Sequence, residues 1–384
     1  MPDAKHSLKR TKYYIATTGK LHDDIWDLLK NGLWKTLDIE QFERNTSKGV
    51  LRRNDWNPVL KNIVPIYPGM EWDEHLEKFI DKPYKPKKNN NPSIETVVSA
   101  ANDFFKKFGN KKIGVQLSGG LDSSIIIGLL RHLKIPFYLI GMSTNRYEFR
   151  TERYVQQVLQ DWAVDSVLID YEQHLPVSNL NKVIPYQYPD LLVNNFSSEN
   201  AMACECQRLG VEVLLTGDGG DNVFAEKITE NYLESDWLPQ VFSDVWLAEN
   251  IYALKGVELV SFYADYGIMD SIYNLRLGAK EDNAKLWARK FFKDLLPQEL
   301  VNYTYCADFW GLYIDGLHDA IPNLYKLFDK VFHTTGQIVF SKQSISEILE
   351  QDLMHAKKEL YQKIESRVAL AVWIDRLIVK GIIS

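Results

Sequence analysis

Residues 113–124 read IGVQLSGGLDSS, and the fold turns on them. An apolar stretch (Ile113, Val115, Leu117) runs into a Ser-Gly-Gly turn, and an apolar helix (Ile125, Ile126, Ile127, Leu129, Leu130, Leu133) follows Asp122. Strand, glycine turn and helix N-terminus together aim backbone N–H groups at a phosphate. Gly119 and Gly120 let the main chain come close and take positive φ. Ser118, Ser123 and Ser124 add hydroxyl donors, and the helix dipole favours the negative charge of a polyphosphate. Asp122 has the wrong sign for a phosphate and makes sense there only if Mg²⁺ comes with it.

A second stretch, VEVLLTGDGGDNVF at 211–224, complements the first. Val211, Val213, Leu214 and Leu215 read as a buried parallel strand, which Gly217, Gly219 and Gly220 break into a loop carrying Asp218 and Asp221. In an open α/β sheet ligands sit beyond the carboxyl ends of the strands, so the two loops can share one site. Between them the chain alternates as a doubly wound α/β fold should. Strands are expected at Phe137–Gly141 and Ser166–Asp170. Helices are expected at Ser198–Leu209 and at Thr151–Trp162, the latter with Tyr154, Val155, Val158, Leu159 and Trp162 turned inward.

The first string resembles the pyrophosphate-binding loop of the ATP pyrophosphatase superfamily, whose members cleave ATP between the α and β phosphates. It is not a GxxxxGK[ST] loop, since no lysine lies between Lys112 and Lys134, and no GxGxxG string is present. The second string resembles the Ser-Gly-x-Gly-x-Asp-Glu motif of the branch holding asparagine synthetases, β-lactam synthetases and lasso-peptide cyclases. The resemblance implies ATP and Mg²⁺ as cofactors, with Asp122 and Asp221 on the metal. It places Ser118, Gly119, Gly120, Asp122 and Ser123 on the phosphates and Leu117, Ile140, Thr216 and Gly217 on the adenine side. Asp218 falls where relatives carry a catalytic Glu or Tyr.

Several positions depart from that pattern. Glutamine-dependent relatives carry a cysteine directly after the initiator methionine, where this chain has Pro2, so no glutaminase activity is expected. The relatives' Arg-x-Pro-Phe-Leu-Asp segment is only weakly echoed at 264–270, ADYGIMD. Lys285, Arg289 and Leu296-Pro297 match a Lys-x-x-x-Arg helix ending in Leu-Pro, yet two basic residues four apart ordinarily mark a solvated face. Beyond it relatives place a phosphate-neutralising lysine, and this chain has no Lys or Arg from 294 to 325. Lys342 or Lys227 swinging in, or a hydrogen bond from Tyr303 or Tyr305, are the substitutes weighed, with degenerate catalysis as a further alternative. The candidate catalytic residues are Asp218, Tyr305 and Lys285.

At 384 residues, 45% hydrophobic and net −6, the chain can bury one large core or two modest ones and has no general drive towards nucleic acid or acidic membranes. It lacks an 18-residue apolar run and a signal-peptide start, so a cytoplasmic location is expected. Its three cysteines make no disulfide framework. KPYKPKKNNNP, 82–92, reads as a solvated linker between a small region, 1–81, and a synthetase domain, 93–384, with an α/β core over 93–235 and a mainly helical remainder, 236–384. In the small region strands are expected at Tyr13–Thr17 and Ile63–Tyr67. Ser93 caps a helix with Ile94, Val97, Val98, Ala101, Phe104, Phe105 and Phe108 on one face.

The resemblance thus implies an AMP- and pyrophosphate-forming amide ligase. Its expected partners are a small-molecule or peptide carboxylate and an amine or ammonia, with a separate amine-supplying protein as one source of the nitrogen. Two other readings stay open: an enzyme of the superfamily modifying RNA or a nucleotide through the basic run at 82–92, and a non-catalytic nucleotide-binding partner of a larger synthetase.

Overall fold

The computed structural model describes residues 12–16, 18–47, 59–66, 70–73, 78–81, 87, 92–224, 246–277, 285–302, 309–336 and 358–383. Near the N-terminus β1 (Lys12–Ile15), β2 (Lys20–His22) and β3 (Ile63–Ile66) form an antiparallel sheet, and β4 (Met70–Asp73) pairs with β5 (Lys78–Asp81). The central sheet is parallel throughout. It comprises β6 (Ile113–Gln116), β7 (Tyr138–Ser143), β8 (Asp165–Asp170), β9 (Val213–Thr216) and β10 (Glu258–Ser261), in the order β10-β9-β6-β7-β8. The strand leading into each glycine loop is therefore next to the other, with Val115 opposite Leu215. The order of connection reverses between β6 and β9, the switch point at which such sheets open a crevice.

The helices are α1 (Trp26–Lys30), α2 (Ile39–Ser47), α3 (Ile94–Lys106), α4 (Leu121–His132), α5 (Arg150–Gln160), α6 (Phe196–Leu209), α7 (Gly220–Val223), α8 (Trp246–Ala253), α9 (Tyr266–Leu277), α10 (Leu286–Phe291), α11 (Gln298–Asn302), α12 (Trp310–Thr335) and α13 (Lys358–Val379). Strand side chains alternate between two cores. Leu139, Val213 and Leu215 join α3, α4, α9 and α10, whereas Ile140 and Leu214 join α6, α8, α12 and α13. Of the residues expected to face inward on α5, Val155 and Leu159 are fully buried, while Tyr154 is 49% exposed and turned to solvent. The helix face is narrower than the run of apolar letters suggests, since Tyr can leave its ring partly wet at little cost.

The N-terminal region does not stand apart. Tyr13, Ile15, Ile25, Leu29 and Phe42 belong to the same core cluster as Val368, Trp373 and Leu377 of α13. The N–H of Val59 donates to the Tyr188 hydroxyl at 3.0 Å, and Arg367 on α13 pairs with Glu43 on α2. Of the expected linker, Lys87 and Pro92 lie within the described residues. The Lys87 N–H donates to Asp270 Oδ1 at 2.9 Å and its carbonyl accepts from Asn274 Nδ2 at 2.7 Å, so the connector is strapped to α9 at that point. Among the described residues no helix is long and apolar enough to cross a membrane.

Candidate active site

The Ser-Gly-Gly turn keeps its shape through its own side chains. The N–H of Gly120 donates to Ser118 Oγ at 3.1 Å, Ser118 Oγ and Ser123 Oγ lie 2.8 Å apart, and Ser124 Oγ donates to the Gly120 carbonyl at 2.7 Å. Gly119 has φ +80°, and a Cβ there would fall 2.4 Å from the Glu152 carbonyl oxygen, so only glycine lets α5 pass this close. The first N–H groups of α4 point out of the turn without intrahelical partners, as at any helix start.

The second loop closes onto the first. A Cβ on Gly220 would sit 2.4 Å from Asp122 Cγ, which means the Asp122 carboxylate occupies space that any other residue would fill. Tyr263, fully buried, donates its hydroxyl to the Asp122 carbonyl at 2.8 Å, and Ser261 Oγ donates to the Asp218 carbonyl at 2.8 Å. Residues at the end of β10 and just after it thereby pin both loops.

Lys285 joins them. Its ammonium donates to Asp122 Oδ1 and Oδ2 at 2.7 Å each and lies 2.6 Å from Asp221 Oδ1. Burial pushes the Asp122 carboxyl up and Asp221 adds to that, while Lys285 opposes it; the net shift is upward. Burial works against the charge on Lys285, but the two carboxylates outweigh it and hold its pKa above the ordinary value. The solvated-face reading of Lys285 and Arg289 is overturned. Lys285 has φ +61° and precedes α10 rather than lying along it, and Arg289 is buried with Nη1 donating to the Leu300 carbonyl at 2.5 Å. A lysine held in a left-handed turn has no helical face to share with Arg289.

Asp218 follows Gly217 in the second loop and is exposed. Surrounding protein pushes its pKa up, Thr216 beside it opposes the shift, and Asp221 adds to it. Leu117 follows β6, Ile140 lies in β7, and Thr216 and Gly217 end and follow β9. Ile140 and Thr216 are buried, and the Ile140 carbonyl takes the Leu117 N–H at 2.8 Å. The Leu117 carbonyl accepts from Gln156 Nε2 at 3.1 Å. Gly217 lies against the first turn of α4, where a Cβ would come within 3.1 Å of Ser123 N. Asp265 and Asp270, in the weakly matched segment, serve the scaffold: Asp265 Oδ1 accepts from the N–H groups of Gly267 and Ile268, and Asp270 takes Lys87. Tyr303, Tyr305, Lys227 and Lys342 lie outside the described residues.

Beside the first loop opens a cavity of about 160 Å³, lined in part by Ser118, Met142, Glu152, Arg153, Tyr171 and Glu199. Glu199 is a group the sequence did not flag, because an acidic residue in the first turn of a helix is ordinarily just a partner for the dipole. Here it faces the cavity and takes a hydrogen bond from the Tyr252 hydroxyl at 2.9 Å.

The pair Asp122 and Asp221 fits a divalent cation of the Mg²⁺ kind. Such an ion takes one or two protein carboxylates and completes its shell with phosphate oxygens and water. The ammonium touching both carboxylates marks a point where they already accept a shared positive charge. Among the described residues no cluster of three or more acidic, His or Cys side chains offers an all-protein metal cage.

Residues 108–250 match the family model described as asparagine synthase. They span both glycine loops and the sheet between them. No curated protein matches the chain. Among solved structures, the NMN synthetase from Francisella tularensis is similar at 12% identity and a TM-score of 0.31, over 75% of this chain and 94% of that one.

Proposed function

We propose that the chain is an ATP-dependent carbon–nitrogen ligase that forms AMP and pyrophosphate, activating a substrate carboxylate on ATP and passing the acyl group to an amine. The observation that supports it most is the meeting of Asp122 and Asp221 over one positive charge, at the mouth of a phosphate-shaped turn. The family match over 108–250 favours the same chemistry.

In this reading the Ser118–Ser123 turn and the start of α4 bind the β and γ phosphates with backbone N–H and hydroxyl donors. Asp122 and Asp221 would hold Mg²⁺, which supplies charge neutralisation for the triphosphate. Lys285, beside both carboxylates, supplies the cation that the stretch 294–325 lacks. Negative charge grows on the departing pyrophosphate, and one well-placed donor is worth about 3 kcal/mol of barrier there. Asp218 accepts a proton from the attacking amine, a role suited to a carboxyl whose pKa is raised. The nitrogen donor is used directly, without hydrolysis of glutamine. In this reading Lys285 offsets the charge deficit that favoured a non-catalytic partner.

The test is to incubate the protein with ATP, Mg²⁺ and a panel of carboxylates and amines while following pyrophosphate and AMP. Acid-dependent release of both is expected, and its loss in Asp122→Asn. Release of ADP and phosphate instead, or ATP binding with no turnover for any acid, would overturn the proposal.

A further inference from the structure

We propose that Lys285 is a latch on the cation site: in the free chain its ammonium fills the place between Asp122 and Asp221, and a divalent metal gains both carboxylates only when a triphosphate draws the ammonium away. The inference rests on the ligase reading and adds an order of loading to it, with the metal entering alongside the nucleotide and not ahead of it.

The ammonium is fully committed. A lysine has three N–H donors, and here two go to Asp122 Oδ1 and Oδ2 at 2.7 Å each while the third meets Asp221 Oδ1 at 2.6 Å. The Lys285 side chain is 20% exposed, and its nitrogen stands 5.8 Å from the centre of the fully buried Phe224 ring. The residue itself takes φ +61°, a left-handed conformation that a β-carbon makes costly and that the carboxylate contacts hold in place. Releasing the ammonium frees that turn to relax, so the lysine is the member of the cluster built to move. Asp122 has no such freedom. Its Cγ lies 2.4 Å from where a Cβ on Gly220 would sit, and Tyr263 holds its carbonyl at 2.8 Å.

A divalent ion arriving alone has two routes, and both are unfavourable. Beside the ammonium it meets like charge at close range, in a crevice where screening is weaker than in water. In place of the ammonium it strands a four-fifths buried lysine, whose acceptors among the described residues are the two aspartates alone. A triphosphate removes the second obstacle. The Ser118–Ser123 turn contains Asp122, so phosphates bound there offer the ammonium new acceptors and bring negative charge for the metal to offset. Metal and nucleotide are thereby coupled, and by linkage each strengthens the binding of the other.

The test uses the full chain and Mn²⁺, a paramagnetic ion that takes the same oxygen ligands as Mg²⁺, with free Mn²⁺ read by electron paramagnetic resonance. Without nucleotide, Lys285→Met is expected to bind Mn²⁺ about tenfold or more tightly than wild type, and Lys285→Arg, which keeps the charge, to stay as weak as wild type. Adding Asp122→Asn to Lys285→Met should abolish the gain. The unaltered protein gives a second readout that does not depend on Lys285→Met folding. The ¹⁵N resonance of the Lys285 ammonium, identified by its absence from Lys285→Arg, should stay in place with Mg²⁺ alone and move when α,β-methylene-ATP is added with it. Equal Mn²⁺ affinity in wild type and Lys285→Met, or a resonance that moves with Mg²⁺ alone, would overturn the proposal. The tenfold gain in a protein that releases no pyrophosphate with any acid would remove the ligase reading and leave the latch standing. Turnover together with equal Mn²⁺ affinities would remove the latch and leave the ligase.

Discussion

Asp122 with Asp221 and Lys285, and Asp375 with Lys330 and Arg376, are three-membered ion clusters of opposite balance in two settings. The first cluster rides on glycine loops beyond the carboxyl ends of the strands, and the Asp221 side chain is 89% exposed. The second is built into helices. Lys330 on α12 reaches Asp375 on α13 at 2.5 Å, and Arg376 pairs with Asp375 while its Nη1 donates to the Asn181 carbonyl at 2.8 Å. That second cluster borders a cavity of about 400 Å³, more than twice the volume of the one beside the phosphate turn. Size alone would therefore choose the wrong site. What separates the two is whether the cation can be exchanged. Backbone carbonyls and rigid helices hold Arg376 in place, whereas Lys285 rests between two loops that have no Cβ to fill the crevice and one carboxylate open to water.

The sharpest way to break this comparison is Asp122→Asn. In the exchangeable cluster the amide cannot share a cation with Asp221, and turnover is expected to fall about 10³-fold, with the melting temperature close to wild type. Retained turnover, measured by pyrophosphate release, would mean that the two loops do not work together. The second cluster should respond in the opposite sense. Asp375→Ala leaves Arg376 buried beside no carboxylate, and the expected loss is about 3–5 kcal/mol of stability by urea unfolding, with activity per folded molecule intact. A variant as stable as wild type would show that the backbone carbonyls alone suffice for Arg376.

Lys285→Met sharpens the first half of the comparison. If the ammonium acts on the phosphates, the variant loses about 10²-fold in rate. If it only holds two carboxylates together in the free protein, Mg²⁺ would do that in its place. Saturating Mg²⁺ would then bring the variant within a few-fold of wild type. Rates at low and high Mg²⁺ distinguish the two.

How these sites were legible differs by residue. The strands at 113–116 and 213–216 and the loops after them are written as apolar runs broken by glycines, and the structure lays them side by side. The helix from Ile94 is equally plain, its face of Val97, Ala101, Phe104 and Phe105 buried as the spacing requires. The solvated face expected for Lys285 fails because a left-handed residue ahead of a helix looks, in letters, like part of it. Glu199 was missed because its partners, Tyr252 and the cavity wall, come from elements far away in the chain, and no local pattern marks them. The N-terminal region was set apart by its proline-rich connector, while the aliphatic and aromatic residues that merge it with α13 carry no sign of their partner.

The smallest effect concerns pH and belongs to the face of the sheet that carries α6 and α13. Glu365, on α13 in the helical core, is pushed up to about 7 by burial, with a hydrogen bond from Tyr313 opposing the shift. The unfolded carboxyl ionises near 4.5, so the folded chain holds this proton more tightly. The stability it contributes is fully present below pH 4.5 and is lost as pH rises through about 7. Each unit of difference is worth about 1.4 kcal/mol, and discounting for partial exposure leaves a decline of about 2 kcal/mol across that window. Glu199, also raised to about 7, adds a decline of the same sign. Glu365→Gln should therefore remove one share of the fall in unfolding free energy as pH rises to about 7, leaving the shares that belong to Glu199, Asp122 and Asp218, whose carboxyls are raised as well. If Glu365→Gln leaves the slope as steep as wild type, the helical core does not hold a protonated acid.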